Sequence, residues 1–228
     1  MDLDAAILPP SIPGDPPLIL HLYGNKDILS EELLAYEAGY RVKILSGVNI
    51  DTAFFYNVYK NLSGFYIGDY RPDTHIYEIL VGNLSEGKTY GVEFAMAIQV
   101  LDWWRLQGAY TFFKMDTTND DSELSVYSAN NSDSPAAHQF SLRSYMDLPW
   151  NVKANLFLRY MDNIQANRVE SYTELDATLI WSPHKNVSLS VSGHNLLKSH
   201  HLEYLEETLW DVTNYIQRSI FVKATFNF

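Results

Sequence analysis

Tyr90-Gly91-Val92-Glu93-Phe94-Ala95-Met96-Ala97-Ile98-Gln99-Val100 decides the fold of this chain. Tyr90, Val92, Phe94, Met96, Ile98 and Val100 alternate with Gly91, Glu93, Ala95, Ala97 and Gln99. Side chains in an extended strand point alternately to opposite faces, so this segment is a strand with one large apolar face and one small or polar face.

The same period runs outward in both directions. Trp104, Leu106, Gly108, Tyr110 and Phe112 alternate with Arg105, Gln107, Ala109 and Thr111. Val152, Ala154, Leu156, Leu158 and Tyr160 alternate with Asn151, Lys153, Asn155 and Arg159, with Phe157 interrupting the polar face. Leu175, Ala177, Leu179 and Trp181 alternate with Glu174, Asp176 and Thr178, and Val187, Leu189 and Val191 with serines. Nine strands are expected, at about 33–45, 48–62, 74–101, 103–116, 137–148, 150–162, 171–182, 186–196 and 214–228. The third is long, and a break near Gly82–Gly87 would make the count ten.

The links between them alternate in length. Ser46-Gly47, Asp102, Pro149 and Pro183-His184-Lys185 are short, whereas 63–73, 117–136, 163–170 and 197–213 are long. Tight turns at one end and long loops at the other describe an antiparallel up-and-down transmembrane β-barrel. Trp103, Trp104, Trp150 and Trp181 all flank short turns, where indoles form an aromatic girdle at headgroup level. A soluble β-sandwich also alternates, but its strands run to about five or six residues, and spanning a bilayer takes about nine to eleven.

Composition narrows the function classes. The chain has 228 residues and a formal net charge of −12, a poor basis for holding nucleic acid. It has no cysteine, so disulfide and thiolate chemistry are absent. No apolar run reaches the roughly 18 residues of a membrane-spanning helix. Met1-Asp2-Leu3-Asp4 does not open a signal peptide, so on the barrel reading the start of the protein is expected upstream. No phosphate loop, nucleophile elbow or HExxH pattern is present, so no enzyme and no cofactor are expected.

At the C-terminus Ile220, Val222, Ala224, Phe226 and Phe228 share one face, and Lys223, Thr225 and Asn227 the other. Bacterial outer-membrane proteins end in this pattern, and their assembly machinery reads it. Internal segments then resemble the TonB-dependent receptor family. They are Ser30-Glu31 to Tyr36-Glu37-Ala38-Gly39-Tyr40-Arg41, Phe54-Phe55-Tyr56-Asn57-Val58-Tyr59-Lys60-Asn61-Leu62, Asn83 to Tyr90-Gly91-Val92-Glu93, and Gly193-His194-Asn195-Leu196-Leu197.

The resemblance covers roughly residues 30–228 and implies the last nine or ten strands of a twenty-two-strand barrel. It implies a plug domain and a TonB box elsewhere in a longer protein, and a Gram-negative outer membrane as the location. It also implies import of a scarce metal chelate, such as an iron–siderophore, driven through the TonB system. Residues 1–29, rich in proline, are expected as a loop and approach segment, and 30–228 as barrel. A passive channel or small stand-alone barrel is the alternative function, and a soluble sandwich binding module the third.

Local chemistry is sparse. His200 and His201 with Glu203, Glu206 and Glu207 have metal-ligand character, with His200, His201 and Glu203 the best candidates. An exposed polar loop is the favoured reading of that cluster. Glu37, Arg41, Lys43, Asp51, Glu93, Arg105, Arg143, Lys153, Arg159, Glu174 and Asp176 are expected to face the lumen. On lipid each would cost up to about 2–4 kcal/mol near the midplane. Tyr66, Tyr70, Tyr77, Tyr127, Tyr204 and Trp210 fall on or near long loops, where an extracellular ligand would arrive. No ligand-binding residue is singled out among them.

Overall fold

The computed structural model describes residues 3–10, 14, 16–45, 47–119, 125–127, 135–164, 169–203 and 215–228. Fourteen strands fill most of them. They are β1 (Leu3–Leu8), β2 (Leu18–Tyr23), β3 (Glu32–Leu45), β4 (Val48–Arg71), β5 (Ile76–Leu101), β6 (Trp104–Asn119) and β7 (Ser125–Tyr127). Then follow β8 (His138–Leu148), β9 (Val152–Met161), β10 (Tyr172–His184), β11 (Val187–His194), β12 (His200–Leu202), β13 (Tyr215–Gln217) and β14 (Ser219–Phe226). The main sheet runs β1-β2-β5-β6-β8-β9-β10-β11-β14, with β4 also pairing β3, β5 and β7, and β12 pairs β13 separately. This is a partial antiparallel barrel, and its strand order is not closed on itself.

The expected strands coincide with β3, β5, β6, β8, β9, β10 and β11 within three residues at either end. The differences are informative. The segment 74–101 is one strand, β5, not two. The segment 63–73, expected as a loop, is mostly ladder, because β4 continues to Arg71. The last expected strand is two, β13 and β14. Residues 1–29, expected as loop and approach, hold β1 and β2, and Pro9, Pro10, Pro16 and Pro17 sit in the link between them, where no ladder donor is missed. β2 joins the sheet parallel to β5, Ile19 opposite Ile76 through Tyr23 opposite Leu80. Ser46, Glu206 and Glu207 lie outside the described residues, as do Tyr204, Trp210 and most of the expected loops at 117–136 and 197–213.

The chain forms two compact units. The first comprises Met1–Tyr36, Tyr56–Thr89 and Met115–Asn131. Its organiser is Asn83, which donates to the carbonyls of Leu29 (3.1 Å) and Asn61 (2.6 Å) and accepts from the Leu29 N–H (2.8 Å). The Glu31 carboxylate accepts from the Ser63 N–H (2.8 Å) and hydroxyl (2.5 Å). Those two donors, the hydroxyl first, hold Glu31 below the usual carboxylate range.

The second unit comprises Glu37–Phe55, Tyr90–Lys114 and Ser132–Phe228. Cross-strand partners share a face, so its registers sort the side chains into two sets. One set joins Leu142 to Leu158, Leu158 to Leu175, Leu179 to Val191 and Val191 to Val222. The other joins Gln107 to Arg143, Ser141 to Arg159, Arg159 to Glu174, Thr178 to Ser192 and Ser190 to Lys223. The alternation therefore stays in phase from β6 to β14, and a one-residue slip anywhere would put charge on the apolar face. The apolar face is exposed: Leu179 is 50% accessible and Val222 76%. Gly91 lies where a Cβ would fall on the Phe112 carbonyl and within 2.6 Å of the Phe55 ring, so only glycine fits.

Candidate functional site

The polar face of the second unit carries the chemistry. Arg41 on β3 pairs with Asp51 on β4, Nε to Oδ2 2.6 Å. Phe157, the apolar residue that breaks the polar pattern, belongs there for a reason. The Arg143 guanidinium sits 4.4 Å from its ring centre and that of Arg159 5.7 Å. Arg105 lies likewise over Tyr145, at 4.7 Å. Aromatic faces attract cations, so these rings hold the arginines flat against the wall.

A denser network surrounds the Gly193-His194-Asn195-Leu196 stretch. Asn195 is 4% accessible and left-handed, with φ 54. Its Oδ1 accepts from Arg159 (2.7 Å), its N–H donates to Asp176 (2.9 Å), and its amide donates to the Gln217 carbonyl (3.3 Å). Arg159 also pairs with Asp176 at 3.2 Å, and the Leu196 N–H donates to the Leu175 carbonyl at 2.9 Å. Asn195 thus ties β9, β10 and β13 together. A Cβ on Gly193 would come within 2.7 Å of a Leu196 methyl, so Leu196 would have to shift to admit a side chain there.

Beside it lies a carboxylate–imidazole cluster. Glu174 is 0% accessible, and its cross-strand partner Arg159 is committed to Asp176 and Asn195. Glu174 Oε1 lies 3.1 Å from His201 Nδ1, close enough to pair but poorly aligned, and no Glu174 oxygen has a hydrogen bond among the described residues. On the other side of the ring His201 Nε2 meets Glu203 at 2.8 Å, and Tyr172 packs on the imidazole at 4.6 Å between centres. The cluster fastens β12 to the wall at β10.

Three sequence-expected residues are placed by this. His201 and Glu203 come together, while His200 turns away to Ser199 and the edge of Tyr215. Glu174 is the partner that the sequence does not reveal. The two carboxylates contact opposite ring nitrogens of His201, so they cannot share one ion with it. No group of three His, Asp or Glu among the described residues is arranged to hold a metal.

The expected girdle residues lie at the tight-turn end. Trp103 and Trp104 stack at 6.1 Å, and the Trp104 indole N–H donates to Ser144 at 2.9 Å, pairing two polar groups on the apolar face. Trp150 is 86% accessible and left-handed in the turn Pro149–Asn151. Trp181 pairs with Val152 and Leu189. Ile220, Val222, Ala224 and Phe226 all register on the apolar face against β11, and Asn227 extends the ladder through Asn186 (3.0 Å) to leave Phe228 beyond it. In the first unit, Tyr70 and Tyr77 pack at 4.6 Å, Tyr70 meets His75 at 3.2 Å, and the Tyr66 ring lies against Gly82.

The sequence family described as TonB dependent receptor-like, beta-barrel matches residues 17–196. Among curated proteins none matches the sequence. Among solved structures the chain is similar to the FrpB iron transporter from Neisseria meningitidis, at 13% identity and TM-score 0.67, covering 90% of this chain and 32% of that one. It is similar to the ferric-catecholate import receptor Fiu from E. coli K12, at 18% and 0.65, covering 90% and 29%. The siderophore receptor PiuA from Acinetobacter baumannii gives 20% and 0.62, covering 86% and 28%. The chain therefore spans about a third of these structures.

Proposed function

Because the chain belongs to the TonB-dependent receptor β-barrel family, we propose that it forms the C-terminal part of an outer-membrane receptor importing a metal chelate such as an iron–siderophore. The observation that carries this reading is the in-phase register from β6 to β14. It gives one face fit for lipid and one for a wet interior. Residues 30–228 supply barrel wall, and 1–29 a loop and approach that adds strands to it.

In this reading the apolar face meets outer-membrane lipid of a Gram-negative cell. Trp103, Trp104, Trp150 and Trp181 sit at the periplasmic headgroups. The β14 residues Ile220, Val222, Ala224 and Phe226, with Phe228, present the pattern that the barrel-assembly machinery reads. The chelate arrives at the long-loop end, where Tyr66, Tyr70 and Tyr77 offer aromatic surface. Passage is driven by a TonB system acting on a plug supplied by the rest of the protein. Residues of this chain bind and line, and none of them does covalent chemistry.

This chain has no cysteine, so with any cysteine elsewhere in the receptor replaced by serine a labelling test is clean. Single cysteines placed at Thr74 and at Lys185 in the full-length receptor are exposed to a membrane-impermeant thiol reagent on intact cells. Thr74→Cys is expected to label and Lys185→Cys only after the outer membrane is breached. Labelling of Lys185→Cys from outside would overturn the orientation. Uptake of radioactive ferric siderophores that persists without TonB would overturn the energised import.

A further inference from the structure

The buried carboxylate–imidazole cluster does no work in the import reading, yet its donors and acceptors do not balance. Among the described residues three buried side-chain polar atoms have no hydrogen bond, and they are both Glu174 oxygens and His201 Nδ1. Two of them face each other, Oε1 and Nδ1 at 3.1 Å. On the far side of the ring His201 Nε2 meets Glu203 at 2.8 Å.

A neutral imidazole carries one N–H and one lone pair. If Nε2 donates to Glu203, Nδ1 turns its lone pair on a carboxylate oxygen, and two acceptors meet where water does not reach. The other tautomer moves the conflict to Glu203. One proton between Glu174 and His201 removes it, because imidazolium donates from both nitrogens and a protonated Glu174 donates to the lone pair. Whichever atom carries it, the docked cluster holds one proton more than an ionised Glu174 and a neutral His201 set apart in water.

No other described residue supplies that donor. Arg159, opposite Glu174 on β9, is held by Asp176 and Asn195. Tyr172 on β10 packs its ring on the imidazole, and β13 sets the apolar Ile216 opposite His201. His200 turns away to Ser199 and Tyr215. Among the described residues the charged groups around the imidazole are therefore Glu174, Glu203 and, beyond Glu174, the Arg159–Asp176 pair.

We propose that Glu174 and His201 form a proton-operated latch, which holds the β12–β13 pair on the wall while the shared proton is bound and frees it when the proton leaves. Docking takes up a proton, so falling pH fastens the pair and rising pH loosens it. The docking equilibrium moves by about tenfold per pH unit wherever one proton is exchanged. Glu203 orients the ring, and Tyr172 covers it. That the latch stands at the outer mouth of a barrel rests on the receptor reading above; the latch itself does not.

Diethyl pyrocarbonate tests this, since it acylates an imidazole that is both accessible and unprotonated, and the exposed neighbour His200 serves as internal reference. The full-length protein in membranes is treated from about pH 5 to 8, the range in which histidine changes charge, and above it. Mass spectrometry reads labelling of His201 relative to His200. The ratio is expected to be low in acid and to rise with pH, by up to about tenfold per unit. In Glu174→Gln the amide donates to Nδ1 without an added proton, so the ratio stays low throughout. Glu203→Gln retains the pH response, since its carbonyl still accepts from Nε2.

A ratio in the unaltered protein that stays flat, whether low or high, overturns the latch, and that outcome needs no variant. A rise with pH that persists in Glu174→Gln overturns it as well. Neither result depends on uptake: siderophore transport without TonB would overturn the receptor reading and leave the latch standing.

Discussion

The polar face of the second unit contains two different kinds of surface. From β6 to β10 it is built of arginine, carboxylate and aromatic rings: Arg105 on Tyr145, Arg143 on Phe157, Arg159 on Asp176 and Asn195. From β10 to β14 it is built of hydroxyls: Thr178 donates to Ser192 at 3.0 Å and Ser182 to Ser188 at 3.4 Å, with Lys223 opposite Ser190. Both satisfy the same requirement, a face that accepts water. They differ in how strongly each residue depends on its neighbours. An arginine held by a ring, an acid and an amide loses several partners when one is removed. A serine ladder loses one bond, and water replaces it.

The largest effect that would break this contrast is expected at Arg159. Arg159→Ala removes the ion pair of Asp176 and leaves the Oδ1 of the buried Asn195 without its donor, beside Glu174. Removing one partner of a buried pair costs about 3–5 kcal/mol, and the lower end applies because the guanidinium is 29% accessible. Urea unfolding of the full-length receptor in lipid would show it, and a loss as small as that of a serine substitution would erase the distinction. Next comes Phe157→Ser, which writes hydroxyl chemistry into the arginine region. Two cation–ring contacts disappear, so about 1–2 kcal/mol should be lost in the same assay. On the hydroxyl side Thr178→Val removes one exchangeable bond, and about 1 kcal/mol or less is expected.

The smallest effect lies where the two chemistries meet, at Glu31 and Ser63 in the first unit. The folded carboxyl sits below its unfolded value. Its stabilisation is therefore complete above the unfolded carboxylate range and fades as pH falls through the folded one. Ser63→Ala should lower stability slightly at neutral pH and leave it almost unchanged in acid, so that the acid-dependent loss shrinks. An unaltered acid profile would show that the hydroxyl contributes nothing to holding Glu31.

The sequence made the second unit legible and the first much less so. Strong period-two contrast marks β5, β6, β9, β10 and β11, and their ends were placed closely. Beyond Leu62 the contrast fades, because Ser63, Gly64, Gly68 and Asp69 leave no clear apolar face, yet the β4 ladder continues. β2 was hidden because one of its partners, β1, lies across a proline-rich link and the other is parallel and more than fifty residues away, at Ile76–Leu80. Phe157 looked like a fault in the pattern, since the arginines that use its ring sit at 143 and 159. His201 and Glu203 were visible as a local pair, but Glu174 was not, because only the docking of β12 on β10 brings it near. Asn195 was legible as part of a family-like motif. Its three partners, on β9, β10 and β13, could come only from the fold.

One feature of β14 bears on the order of events in folding. β8 and β9, like β10 and β11, are delivered to each other by tight turns, so their registers are set as soon as they meet. β14 must find β11 across the longer stretch from Asn195 to Arg218, whose two ends are joined by the β12–β13 pair. Closing a longer loop costs more entropy, and such distant pairings form late. The alternation of Ile220, Val222, Ala224 and Phe226 against Lys223 and Thr225 then selects the face that meets β11. The last strand therefore acts as its own ruler, and a misprint there would be noticed only after the rest of the wall had set.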